Sequence, residues 1–208
     1  MANYLKKIIS HFEKVDPKIA ALVKDYLQSE HYEQPAKSDP EDYAVSLTSS
    51  IISQQISTKA AAKIKQRFFD MVGSEYNPHS ILTHNIEELR SVGLSRQKAS
   101  YVHSIAQSSI DGIVRFDELD NLSDQEVIDE LVQIKGVGVW TAEMFLIFTL
   151  ARPDVFSTGD LGLVNAVKRL YDQEDIATDE ITRLSDKWSP YKSIASLALW
   201  HSLDNMPK

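Results

Sequence analysis

The segment Leu131-Val132-Gln133-Ile134-Lys135-Gly136-Val137-Gly138-Val139-Trp140-Thr141-Ala142 decides the fold. Before it lies an amphipathic stretch opened by Ser123 with Glu126 three residues on, the pattern of a helix-starting capping box. After it comes a strongly apolar stretch. Two glycines one residue apart, Gly136 and Gly138, cannot carry a helix through. They permit a tight turn, which leaves N–H groups of the next helix's first turn without intrahelical partners, where the helix dipole also favours an anion. The segment therefore reads either as an ordinary helix connection or as a seat for a phosphate. A dinucleotide-binding loop is excluded, because it needs a strand before the first glycine and a third glycine or alanine. Here Gly136-x-Gly138-x-x-Thr141 follows a helix.

Outward from this turn the chain reads as all-α. Seven Gly and seven Pro punctuate it, and no alternating β-branched runs bounded by hairpin turns occur. Helices are expected near 3–14, 17–29, 41–54, 57–71, 86–91, 95–109, 123–133, 139–150, 160–171, 178–187 and 190–204. Asp39–Pro40 and Ser189–Pro190 look like helix starts, and Gly73 and Gly93 like stops. The loosest stretches are expected at His31–Asp39 and Gly112–Leu122.

With 208 residues, 43% of them hydrophobic, the chain can bury one large core or two small lobes. No window approaches the roughly 18 apolar residues of a membrane helix, and the N-terminus lacks a signal-peptide core, so a soluble, cytoplasmic protein without membrane contact is expected. It is also expected to be a monomer. There is no Cys, which excludes disulfides, thiolate nucleophiles and iron–sulfur clusters, and the six His occur singly, so neither metal nor cofactor is expected. The net charge of −8 opposes nonspecific coating of nucleic acid. Local docking is still open to such a chain, since backbone N–H groups hold phosphates without basic side chains.

Beyond the apolar stretch stands Asp154-Val155-Phe156-Ser157-Thr158-Gly159-Asp160, with Asp160 opening a new helix. A lone Asp there is by default an N-cap. Taken together, the L-x-x-I-x-G-V-G-x-W-T-A hairpin, the apolar helix and the D-V-F-x-x-x-D segment resemble the helix-hairpin-helix (HhH-GPD) base-excision glycosylases. Within them the chain is most similar to the alkylbase branch, the DNA-3-methyladenine glycosylase II type. The resemblance extends to Ile51–Ser57 with Ala60–Ala62, to Gly93-Leu94-Ser95-x-x-Lys98, and to Trp188-Ser189-Pro190-Tyr191-Lys192-Ser193 with Ala195 and Trp200.

The resemblance implies two helical lobes, 43–152 and the joined chain ends 1–42 and 153–208, with a catalytic cleft between them. It implies a monofunctional glycosylase that extrudes an alkylated purine from double-stranded DNA and hydrolyses its N-glycosidic bond. Lys135, Gly136, Val137, Gly138 and Thr141 would grip the DNA backbone. The segment carrying Gln54, Gln55 and Ile56 would enter the vacated stack, with Gln55 or Ile56 as the wedge. An alkylated purine is cationic and leaves readily, so one carboxylate suffices, and Asp160 would stabilise the oxocarbenium-like sugar and orient water. Trp140 and Trp200 would stack on the cationic base, although a Trp on a last amphipathic helix is also an ordinary core residue.

Departures from the family pattern matter as well. Relatives that also nick DNA carry a nucleophilic Lys where this chain has Trp140. Lys135 replaces the usual Pro, which either adds a phosphate contact or loosens the turn. Met144 stands in the base pocket where the branch can have an aromatic residue. Two rival readings remain at this stage: a glycosylase for oxidised or mismatched bases, and a noncatalytic DNA-binding protein of the same fold.

Overall fold

The computed structural model describes residues 2–73 and 77–204, and among these it contains twelve α-helices and no strand. The chain divides into two compact units, Ala36–Leu150 and the pair Met1–Pro35 with Ala151–Lys208. The first of these starts a few residues earlier than the expected 43. Lys37 Nζ lies 2.8 Å from Asp120 Oδ2, and Ser38 N–H donates to Thr149 O at 2.9 Å, which ties the segment before the first helix to this unit.

The Ala36–Leu150 unit holds α3 (Tyr43–Ser53), α4 (Thr58–Val72), α5 (Pro78–Thr83), α6 (Ile86–Ser91), α7 (Arg96–Ile110), α8 (Asp124–Leu131) and α9 (Val139–Phe148). Helix α7 packs against α3, α5 and α6, and α8 against α9. Leu47, Ile51, Phe68, Leu89, Ile105 and Leu146 are fully buried here. The capping box at Ser123 and Glu126 forms as expected, and Gly73 ends α4 with φ +106°. Helix α5 goes beyond the expected set: Asn77 caps it and Pro78 occupies its first turn. The stretch Gly112–Leu122 is not loose either. It contains a 3-10 turn, Phe116–Asn121, whose Phe116 and Leu119 are buried.

The other unit holds α1 (Ala2–Val15), α2 (Pro17–Gln28), α10 (Leu161–Tyr171), α11 (Thr178–Asp186) and α12 (Lys192–Asp204). Ile8, Phe12, Ile19 and Val23 pack with Leu163, Val167, Trp188 and Leu199. Buried Asp16 ties three parts of the unit together. It caps α2 through the Lys18 and Ile19 N–H groups and accepts hydrogen bonds from the Tyr171 hydroxyl and, at 2.9 Å, from Trp188 Nε1. Helix α12 starts at Lys192, not at Ser189–Pro190. The reason is competition: the Ser189 hydroxyl donates to Asp154 Oδ2 at 2.6 Å, and Asp154 Oδ1 accepts from Lys192 N–H at 3.3 Å.

Candidate active site

Asp160 and Trp200, 40 positions apart, meet within the terminal unit. The loop before α10 is stitched to α12 by a series of hydrogen bonds. Ser193 Oγ donates to Arg152 O at 2.6 Å and accepts from Val155 N–H at 3.0 Å. Ser193 N–H donates to Pro153 O at 3.0 Å, and Ser196 Oγ to Val155 O at 3.2 Å. This brings the last helix, with Trp200 near its end, alongside the first turn of α10. There Asp160 Oδ1 accepts from Leu163 N–H at 2.8 Å and from Trp200 Nε1 at 3.1 Å. Asp160 is thus an N-cap, as its position predicts, and also a carboxylate held by a second donor from another helix. The two roles coexist. The next residue, Leu161, is 77% exposed, so the carboxylate sits at the rim of the unit.

Gly162 was not singled out from the sequence. A Cβ there would lie 2.9 Å from Asp160 Oδ1 and 3.4 Å from Trp200 Nε1. A glycine in the first turn of a helix is the signal that could have found it, since it weakens a helix without being needed to end one.

The hairpin lies in the other unit, between α8 and α9. Ile134 and Val137 are buried and anchor the turn, with Val137 N–H donating to Ile134 O at 3.0 Å. The Val137 side chain is thus core, and its N–H is engaged within the turn. Gly136 has φ +97°, and a Cβ on it would fall 2.1 Å from Cγ of the Tyr101 ring. Gly138 is the N-cap of α9, with no side-chain cap and nothing within 4 Å of where a Cβ would sit. Lys135 is exposed, and so are Val139 and Trp140, the latter at 38%.

The expected wedge segment is in the same unit and is fixed from two sides. Lys98 Nζ donates to Ile52 O at 2.8 Å and to Gln54 O at 2.5 Å, closing the carbonyl end of α3. Burial pushes the Lys98 ammonium below the usual lysine range. Gln54 Nε2 donates to Thr141 Oγ1 at 3.1 Å, which couples the segment to the helix after the hairpin. Gln54 and Thr141 thus hold each other, and the Thr141 side chain is buried in the first turn of α9. Gln55 adopts φ +57°, and it and Ile56 are exposed. Met144 is buried but lines a pocket of about 430 Å³ with Ser49, Ser50, Ser53 and Phe148. Among the described residues, no group of three or more His, Asp or Glu could hold a metal ion. No helix there is long and apolar enough to cross a membrane.

The HhH-GPD superfamily of base excision DNA repair proteins matches residues 48–190. The chain is 31% identical to a DNA-3-methyladenine glycosylase of Saccharomyces cerevisiae, over 91% of its own length and 77% of that protein. Its structure is similar to that of a Schizosaccharomyces pombe 3-methyladenine DNA glycosylase in complex with abasic DNA. That match has a TM-score of 0.82 and 31% identity, and covers 97% of this chain and all (100%) of the other. An 8-oxoguanine glycosylase/lyase of Clostridium acetobutylicum, in complex with DNA, has a TM-score of 0.76 over 96% of this chain and 70% of its own. At 18% identity, that likeness shows the fold alone.

Proposed function

The chain belongs to the HhH-GPD superfamily of base excision DNA repair proteins, and from that premise we propose that it is a monofunctional glycosylase acting on double-stranded DNA inside the cell. It hydrolyses the N-glycosidic bond of alkylated purines of the 3-methyladenine and 7-methylguanine type. The observation that carries this reading is the Asp160 carboxylate, fixed by the Leu163 N–H and the Trp200 indole at the rim of its unit. A charge already oriented before the bond breaks need not reorganise as the sugar becomes cationic, which is where electrostatic stabilisation is most effective.

The remaining residues take subsidiary roles. The outward face of the turn at Lys135, Gly136 and Gly138, with the first N–H groups of α9, holds DNA phosphate. The pinned segment at Gln54 presents Gln55 and Ile56 to the space the nucleotide vacates. Trp140 and Trp200 offer ring faces to the cationic base, each worth about 0.5–2 kcal/mol, and Met144 lines the pocket beside α3. The protein works as a monomer without a cofactor.

The test is excision over a panel of duplexes carrying 7-methylguanine, 3-methyladenine, hypoxanthine or 8-oxoguanine, with borohydride present. Release of the methylated purines with an intact abasic strand and no trapped adduct is the expected result, because Trp140 supplies no amine. A covalent protein–DNA adduct, or release of 8-oxoguanine alone, contradicts the proposal.

A further inference from the structure

We propose that Gly162 and Trp200 are positioning residues for the Asp160 carboxylate, the glycine by the side chain it lacks and the tryptophan by its indole N–H. This rests on the reading of Asp160 as the reacting carboxylate. Gly162 lies in the first turn of α10 and is helical, so no left-handed backbone conformation demands a glycine there. Alanine would make the better helix. What the glycine provides is space. Leu163 N–H and Trp200 Nε1 converge on the same oxygen, Asp160 Oδ1, at 2.8 and 3.1 Å. A Cβ at Gly162 would sit 2.9 Å from that oxygen, 3.4 Å from the indole nitrogen and 3.5 Å from Trp200 Cδ1.

An Asp side chain is short, and this one is bonded at both donors, so it has no loose end that could yield to the added methyl. The carboxylate would have to turn off one of its donors. Trp200 cannot retreat either without disturbing α12, whose first turns are bonded to Arg152, Pro153 and Val155. The consequence is a charge aimed in one direction. In this arrangement the edge of the Trp200 indole holds the carboxylate, whatever its ring face does.

The experiment uses the full chain and Gly162→Ala, Trp200→Phe and the double variant. It measures single-turnover release of 7-methylguanine, affinity for an abasic-site duplex, and Tm. Gly162→Ala is expected to lower the rate about tenfold or more, as a small misplacement of a reacting group does. Abasic-duplex affinity should stay within about twofold and Tm change little, because the helix preference of alanine offsets the loss of one hydrogen bond to Asp160. Trp200→Phe keeps a ring and loses the N–H, and it should be slowed as well. The double variant should be no slower than the slower single, because both act through one oxygen. Gly162→Ala excising within about twofold of the parent chain, or losses that multiply in the double variant, would overturn the proposal. Should Gly162→Ala fail to fold, Trp200→Phe decides alone, and an unchanged rate there overturns it. Asp160→Asn separates the two levels: if it excises normally the underlying reading fails, and if it is inactive while Gly162→Ala is normal, only this inference fails.

Discussion

At Gly136 two constraints meet, a left-handed φ of +97° and the Tyr101 ring pressed where a Cβ would be, whereas Gly138 two residues later has open space around it. The glycines therefore respond oppositely to substitution. Gly136→Ala should destabilise the fold by more than about 1 kcal/mol, read as a lowered urea midpoint, because both backbone strain and overlap oppose it. Gly138→Val should leave that midpoint near the parent value and weaken binding to damaged and undamaged duplex alike, since it covers the face proposed to hold phosphate. Unchanged affinity in Gly138→Val would remove the hairpin as the anchor. The paired glycines were legible in the sequence because only a turn accommodates them. Their separate reasons were not, because Tyr101 arrives from α7. The same holds for Lys98, readable as part of Gly93-Leu94-Ser95-x-x-Lys98 yet silent about the α3 carbonyls it holds.

At the scale of elements, helix positions followed from caps and punctuation, which are local and therefore written in the sequence. Ser123 with Glu126 became a capping box, and Asp160 a cap. Helix α5 was missed although Asn77–Pro78 is a start signal, because it is a single short helix with one fully buried side chain, Ile81, and little apolar periodicity. Ser189–Pro190 does not open the helix because Asp154, distant in sequence, accepts the Lys192 N–H that a Ser189 cap would bind. The joint at Asp16 was equally invisible, since its partners come from α10 and the segment before α12. Burial there, and then the hydrogen bond to Asp16 and its charge, hold the Tyr171 phenol above the ordinary tyrosine range. Up to about pH 10 that phenol is neutral in folded and unfolded chains alike and its contribution is intact. Above that, the unfolded chain releases its proton while the folded chain retains it, so stability falls as pH rises. Tm should accordingly drop more steeply above about pH 10 in the parent chain than in Tyr171→Phe. Equal slopes would show that the phenol contributes nothing to alkaline unfolding.

At the scale of the whole molecule, the proposed function has a chain of net charge −8 grip a polyanion. If backbone N–H groups at the hairpin supply much of the hold, few counterions are displaced by Lys or Arg, and log Kd should change only shallowly with log salt. A slope steep enough to imply about six or more neutralised phosphates would place the grip on basic side chains instead. The central claim is that one fixed negative charge makes this fold an enzyme, and Asp160→Asn tests it most directly. Asparagine keeps the cap and an oxygen able to accept from both Leu163 and Trp200, so those two hydrogen bonds survive the loss of the charge. Single-turnover release of 7-methylguanine should fall by about a hundredfold or more, with Tm and abasic-duplex affinity near those of the parent chain. Release by Asp160→Asn at the parent rate would contradict the account.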